Sequence, residues 1–187
     1  EALLAAADRQ RQGQLQFPPP TLARLEAMLL AIRTNVEQAH WLALSDRDEI
    51  LWARAYALRF LLAWQARRPS DAAAIRPVLQ RSVGALLALQ PETGVWFHEY
   101  GNPFAIATAL QALHGAQQAG VEVDQKAIDR GLAALLQDRT AEGAFTYSHT
   151  KNGKPRASLP AAAGRMPLCE LGLFLFERSD QARLQHA

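Results

Sequence analysis

RSVGALLALQPETGVWFHEYGN, residues 81–102, is followed by a second stretch of the same form, RGLAALLQDRTAEGAFTYSHTKNG, residues 130–153. The two stretches align when Gly94 is placed on Gly143, at an offset of 49 residues. The same offset brings further pairs into step: Arg81 with Arg130, Ala85 with Ala134, Leu86 with Leu135, Leu87 with Leu136, and Trp96 with Phe145. A repeat of about 50 residues in a helical sequence predicts stacked helical hairpins, because one hairpin cannot bury its apolar face alone.

Proline, glycine and capping residues divide the chain into helical segments. Alanine and leucine dominate and β-branched residues are few, which favours helices. The triple proline at 18–20 ends a first helix, and Asn102 and Asp124 are typical helix N-caps. The predicted helices cover residues 1–12, a segment from 21, and residues 48–67, 71–89, 103–118, 124–138 and 161–177. Only VWFHEY and AFTYSH look extended, so the predicted fold class is all-α.

The length of 187 residues and the hydrophobic fraction of 49% predict one folded domain with a substantial core. This domain, residues 1–187, divides into an N-terminal helix with a proline-rich breaker at 1–20, a divergent hairpin at 21–70, and two repeats at 71–187. Because the sequence starts at Glu1 rather than at a methionine, we expect upstream sequence to be missing.

The charged residues are balanced and scattered, with 20 Lys and Arg against 18 Asp and Glu. No basic stripe with interleaved aromatic residues occurs, so no nucleic-acid partner is expected. No apolar run approaches the roughly 18 residues of a membrane span. We therefore expect a soluble protein of the cytoplasm or periplasm, without a cofactor. The densest basic patch, Lys151, Lys154 and Arg156, is interpreted as a solvated loop, with an anion contact as the alternative.

The repeat also has the form of a known motif. Its first copy carries Gln90, Gly94 and Trp96 in the spacing Q-x-x-x-G-x-W, after an aliphatic pair and a basic residue. This pattern resembles the Q-W repeat of the prenyltransferase and squalene (triterpene) cyclase family. The second copy keeps the frame with other residues: Arg139, Gly143 and Phe145. The segment NPFAIATALQALHGAQQAG, residues 102–120, resembles the inner helix of that family's repeats.

The resemblance implies an α/α toroid, in which inner and outer helices alternate around a central cavity. The motif residues are then structural: the glycine turns the chain at the end of an outer helix, and the aromatic ring packs back on the outer layer. About three hairpins fit in this chain, fewer than a full ring of the family contains. We therefore expect a toroid or half toroid. Because a half ring would expose apolar surface of its inner helices, we expect that the chain is a fragment, forms a homodimer or closes as a smaller bundle.

The expected function is a non-catalytic binding or scaffold domain for an apolar small molecule or a protein partner, because no catalytic constellation is evident. Two enzyme classes remain as alternatives. One is a terpene-cyclase-like or prenyl-transferring enzyme, for which the weak catalytic candidate is Asp48. The other is a carbohydrate-active enzyme on a helical-hairpin ring, which needs two facing carboxylates. Glu99 and Glu170 are the candidate pair.

The segment DRDEI, residues 46–50, is the source of the first alternative. It resembles the acidic motif of class II terpene cyclases, with Asp48 in the place of the aspartate that protonates an alkene. That role requires a carboxyl group whose pKa is raised by burial or by a like charge. The other interpretation is that these acidic residues favour a helix N-terminus.

The two extended segments carry matching aromatic and histidine residues, which strand alternation places on one side of each segment. Such rings could line a ligand site at one end of the fold; the alternative is interface packing with satisfied polar tips. The ligand-lining candidates are His98, Tyr100, Asn102, Tyr147, His149 and Arg165. Two other histidines, His40 and His114, are expected to be packed or on the surface.

The segment GRMPLCE, residues 164–170, supplies the last candidates. A cation at a helix start opposes the helix dipole, so we expect Arg165 to bind Glu170, another carboxylate or an anionic ligand. Cys169 is the single cysteine, which excludes an internal disulfide. It is a weak candidate metal ligand, because Pro167 stands where the protein prenyltransferases carry the aspartate of their zinc-binding pair. A buried structural thiol is the favoured interpretation.

Overall fold

The computed structural model describes residues 2–38, 49–150 and 154–187, and this part of the chain is mostly helical, which confirms the all-α prediction. A 3₁₀ turn at Pro69–Asp71 and a hairpin of two short strands, β1 (Phe97–His98) and β2 (Tyr100–Gly101), complete the regular structure of the described residues. Their α-helices are α1 (Ala2–Arg11), α2 (Pro19–Gln38), α3 (Ile50–Arg67), α4 (Ala72–Leu87), α5 (Pro103–Gln118), α6 (Gln125–Gln137), α7 (Leu159–Ala162), α8 (Met166–Phe174) and α9 (Gln181–His186).

The predicted N-caps of α5 and α6 are confirmed. Asn102 has an extended backbone, and its side-chain oxygen accepts a hydrogen bond from the Ala105 amide at 2.8 Å. Asp124 accepts one from the Lys126 amide at 2.9 Å. Gly120 follows α5 with a φ of 70°, the left-handed conformation that glycine adopts without steric cost. Local signals in the sequence therefore determine where these two helices begin and where α5 ends.

The predicted helix at 161–177 is wrong in its extent, because the structure breaks it into α7 and α8. The break falls at Gly164 and Arg165, ahead of Pro167, which lies in the first turn of α8. Proline is favoured in a first helical turn, since the amide it lacks would have no partner there. The short helix α9 was not predicted; Asp180 caps it by accepting a hydrogen bond from the Arg183 amide at 2.8 Å.

Helices α3, α5 and α8 pack side by side and form one layer, called here the α3–α5–α8 layer. At one end of this layer the rings of Trp52 and Phe104, from the first turns of α3 and α5, are stacked 6.1 Å apart. Towards the other end, His114 of α5 contacts Phe176, which follows α8, at 5.2 Å. The three helices therefore run in the same direction.

Helices α4 and α6 form the second layer, because α4 packs on α3 and α5 while α6 packs on α5 and α8. Helix α5 lies in the middle and is the most buried element, with ten of its 16 residues buried. Small side chains allow its close contacts: a Cβ on Gly172 of α8 would lie 3.3 Å from the Cβ of Ala107. Helix α1 packs on α2 and α3, and α9 packs on α8.

Within the described ranges, no helix combines the length and the hydropathy that a bilayer crossing requires.

Candidate functional site

The first motif copy ties α4 to α6 through hydrogen bonds. The Gln90 side-chain amide donates to the carbonyl of Ala127, at 2.9 Å, and to that of Gly94, at 3.3 Å. Its oxygen accepts from the guanidinium of Arg130 at 3.0 Å. Gln90, near the start of the α4–α5 connection, therefore holds this connection against the first turns of α6, and this role is structural.

Trp96 and Gly94 complete this copy. The Trp96 ring is fully buried, and its indole nitrogen donates to the Leu86 carbonyl at 3.1 Å. Gly131 of α6 makes room for the ring, since a Cβ there would lie 2.8 Å from Cζ3 of the indole. Gly94 has a φ of 81°, and a Cβ on it would lie 2.5 Å from the carbonyl carbon of Arg130. The glycine therefore serves both a turn and a close approach of two backbones.

The second copy replaces the amide by an ion pair. Arg139 Nε lies 2.9 Å from Glu170 Oε1, and the Ser179 hydroxyl donates to Glu170 Oε2 at 2.6 Å. The Glu170 side chain is only 2% exposed, so its carboxylate is fully engaged inside the protein. Gly143 has a φ of 94°, and Phe145 is fully buried.

A cluster of five partly exposed rings lies at the end of the α3–α5–α8 layer where α3 and α5 begin. We call it the ring cluster, and it consists of Trp52, His98, Tyr100, Phe104 and Tyr147. The Trp52 ring packs edge-on against His98, with 5.1 Å between the ring centres, and it stacks on Phe104. The ring centres of Phe104 and Tyr147 are 6.3 Å apart. Tyr147 and Tyr100 are 5.6 Å apart. Helix α3, helix α5 and both repeat segments therefore meet in one aromatic surface.

Asn102 holds this surface in place. Its side-chain amide donates to the carbonyl of Tyr100 at 3.0 Å and to that of His98 at 3.3 Å, while its oxygen caps α5. The residue is fully buried. It is thus a positioning residue beneath the rings, whereas the sequence had suggested a place in the lining.

Arg165 does not bind Glu170, which corrects the first of the expected pairings. Its Nε donates to the carbonyl of Phe145 at 2.9 Å, and a second nitrogen donates to the carbonyl of Ala161 at 2.8 Å. Its guanidinium carbon lies 5.7 Å from the ring centre of Tyr147. Arg165 therefore satisfies one carbonyl of the loop after α6 and one carbonyl of α7, and it lies over one ring of the cluster, while Arg139 pairs with the carboxylate of Glu170.

A buried carboxylate and a histidine form a pair beside the ring cluster. Asp138 Oδ2 lies 2.9 Å from His149 Nδ1, and Asp138 Oδ1 accepts from the Thr150 amide at 2.8 Å. The His149 amide donates to the Gly101 carbonyl at 2.7 Å, which fixes the histidine against β2. Burial raises the pKa of the Asp138 carboxyl above its usual value, against the opposing effects of the Thr150 and His149 hydrogen bonds.

Sequence reasoning had not singled out Asp138, although a signal was present. The residue is the C-cap of α6, where the negative end of the helix dipole disfavours a carboxylate. An acidic residue at such a position indicates a specific partner, and here the partners are His149 and Thr150.

A groove of about 750 Å³ lies against this pair. Its polar and aromatic lining comes from both repeat copies, with Thr93, Phe97 and Tyr100 from the first and Gln137, Ser148 and His149 from the second. The pKa of Tyr100 is raised to about 12, and the largest cause is the hydrogen bond between its hydroxyl and the hydroxyl of Tyr147. Tyr100 therefore keeps its proton at neutral pH.

The remaining candidates lie elsewhere. Glu99 is exposed at the tip of the β1–β2 hairpin, with a φ of 57°. Cys169 is fully buried, and this burial raises the pKa of its thiol, as expected for a structural residue. No group of three potential metal ligands comes together within the described ranges. His114 packs edge-on against Phe176.

Asp48, His40 and Lys151 fall in segments 39–48 and 151–153, outside the described residues. The other two residues of the basic patch, Lys154 and Arg156, share a shallow surface depression with Glu142. They are exposed, which agrees with the interpretation as a solvated loop.

No protein-family model matches this sequence, and neither a curated protein nor a solved structure was found to match it.

Proposed function

We propose that this chain is a binding domain built as an α/α toroid or half toroid of the prenyltransferase and squalene cyclase type, with the ring cluster as its ligand contact. The proposal rests on one observation: five partly exposed rings from four chain segments lie together at one end of the α3–α5–α8 layer. The ligand is a molecule with a flat apolar face.

The layering supports the toroid part of the proposal. Parallel α3, α5 and α8 correspond to inner helices, and α4 and α6 correspond to the outer helices that connect them. The hydrogen bonds of Gln90 and Trp96 agree with the tethering role that the resemblance implies for the Q-W residues. In rings of that type the cavity lies near the ends of the inner helices, and the ring cluster lies at the first turns of α3 and α5.

Exposure of the rings supports the binding part of the proposal. Tyr147 is 63% exposed, and the other four rings of the cluster are partly exposed. Clustered aromatic surface in water is unfavourable and marks interaction sites more often than scattered single residues do. Aromatic side chains also bind with little loss of conformational freedom, since they have only two rotatable bonds. The cluster is therefore suited to holding a flat ligand face.

Titration with Nile red, a flat neutral dye whose emission shifts to the blue in apolar surroundings, tests this proposal. We expect the wild-type protein to bind the dye, and Tyr147→Ala and Trp52→Ala to weaken binding about tenfold, the effect of losing about 1.4 kcal/mol of ring contact. Tyr147→Phe keeps the ring and is expected to retain the affinity.

The matched control is Leu30→Ala, which removes another apolar side chain that is more than half exposed, from α2. Thermal melting followed by circular dichroism establishes that each variant is folded. If the dye does not bind, or if its affinity is the same in Tyr147→Ala as in wild type, the ring cluster is not a ligand contact. A loss in Leu30→Ala as large as that in Tyr147→Ala would likewise contradict the proposal.

A further inference from the structure

We propose that the groove beside the ring cluster binds a neutral oligosaccharide, and that the Asp138–His149 pair accepts a hydrogen bond from one of its hydroxyl groups. This inference rests on the proposed function, because it names the ligand class of the same aromatic surface. Tyr100 connects the two, since it belongs to the ring cluster and also lines the groove.

The charge of the groove favours a neutral ligand. None of the described residues that line it is Lys, Arg, Asp or Glu. A phosphate, sulfate or carboxylate ligand would lose its water shell here without gaining a charged partner, which is strongly unfavourable. The polar groups at its wall are instead hydroxyls, an amide and an imidazole, from Thr93, Ser148, Tyr100, Gln137 and His149.

The geometry of His149 specifies what it offers to a ligand. Because a carboxylate accepts hydrogen bonds, Asp138 fixes the proton of the neutral imidazole on Nδ1. The Thr150 amide occupies the other carboxylate oxygen, so Asp138 cannot turn away. The lone pair on Nε2 then remains as an acceptor, and no residue of the described ranges bonds to this atom. The His149 side chain is 10% exposed and lines the groove.

The neighbouring rings complete the match. A pyranose has C–H groups on its faces and hydroxyl groups around its rim, so it combines an apolar face with hydrogen-bond donors. Phe97, which is 55% exposed, lines the groove and offers a ring for such a face. Tyr100 carries its proton at neutral pH and adds a polar group at the rim. A wholly apolar ligand would leave the His149 acceptor without a partner, which costs about 1–3 kcal/mol.

The test is isothermal titration of the full chain with four neutral hexasaccharides: cellohexaose, xylohexaose, mannohexaose and maltohexaose. We expect at least one of them to bind with a Kd below about 1 mM, and His149→Ala to weaken it at least tenfold. His114→Ala is the matched control, because it removes a histidine that packs against Phe176 near the other end of α5. Its affinity is expected to equal that of wild type.

A second readout uses the wild-type protein and does not depend on the folding of a variant. With ¹⁵N-labelled histidine, the Nε2 resonance of His149 is expected to report an unprotonated nitrogen in the free protein. It should move towards the hydrogen-bonded position when the sugar is added. Tetragalacturonate, a charged sugar, is expected to leave it in place.

Three results would overturn the inference: no hexasaccharide binds at about 5 mM, binding is the same in His149→Ala, or the charged sugar binds more tightly than the neutral ones. If Nile red binds to the ring cluster in the first case, the binding function stands and only the ligand class is wrong. If neither the dye nor a sugar binds, both proposals fail.

Discussion

Gly94 and Gly143 occupy the same place in the two repeats, and both have a left-handed backbone. Their surroundings differ. A Cβ on Gly94 would run into the backbone of Arg130, whereas a Cβ on Gly143 would meet nothing within 4 Å. The two positions therefore separate the cost of the backbone conformation from the cost of a steric clash.

Alanine substitutions at these glycines test that separation. We expect Gly143→Ala to lower the free energy of unfolding by about 1–2 kcal/mol, the cost of a left-handed backbone with a Cβ. Gly94→Ala should lower it by more than about 3 kcal/mol, because the first repeat must also move away from α6. Urea denaturation followed by circular dichroism measures both values. Equal losses would show that the contact with Arg130 has no energetic weight.

At the residue scale, the offset of 49 residues predicted which residues of the two repeats correspond. It did not predict partners that are distant in sequence. Arg165 was expected to bind Glu170, another carboxylate or an anionic ligand, because a cation at a helix start opposes the helix dipole. The carboxylate of Glu170 instead pairs with Arg139, from the loop after α6. Asp138 was missed because its partner, His149, becomes adjacent only when the loop after α6 folds back.

At the scale of elements, the start of a helix depends on one capping side chain. The stability that this side chain contributes depends on its burial and on its other hydrogen bonds. Asn102 caps α5 and also holds the carbonyls of His98 and Tyr100 from a fully buried position. Asp124 caps α6 from an exposed position with one hydrogen bond. The sequence predicts both caps equally well, since the capping preference is local. The sequence could not predict that Asn102 also holds the β1–β2 hairpin through two further hydrogen bonds.

Alanine at each cap distinguishes these roles. Asp124→Ala is expected to cost about 1 kcal/mol of unfolding free energy, as for an ordinary cap. Asn102→Ala should cost about 3 kcal/mol, because it leaves buried donors and acceptors without partners. It should also loosen the ring cluster, so Nile red affinity should fall in Asn102→Ala and not in Asp124→Ala. A cost for Asn102→Ala no greater than that for Asp124→Ala would show that the hairpin does not depend on the amide.

At the scale of the whole molecule, α5 is the centre of both layers. It contacts α3 and α8 at its sides and α4 and α6 above, and its buried alanines allow these helices to approach closely. The repeat period predicted paired helices, but the packing distances depend on small residues such as Gly172 against Ala107. Periodicity in a sequence does not report which small residues will face each other.

Hydrogen exchange followed by mass spectrometry tests this hierarchy. Amides of α5 are expected to exchange at least about tenfold more slowly than those of α1 and α9, because opening α5 requires separating four neighbours. Helix α9 has no buried residue and should exchange first. Protection of α1 or α9 equal to that of α5 would contradict the central position of α5.

The different tethers of the two repeats also bear on how such a chain can evolve. Gln90 works because Arg130 donates a hydrogen bond to it, whereas Arg139 at the equivalent position works because it pairs with Glu170, whose other oxygen accepts a hydrogen bond from Ser179. Copying the arginine back onto position 90 would set two guanidinium groups against each other. Recombination between the copies is therefore penalised unless several positions change together. Internal symmetry in the sequence should fade in coupled steps, while the stacking of the hairpins persists.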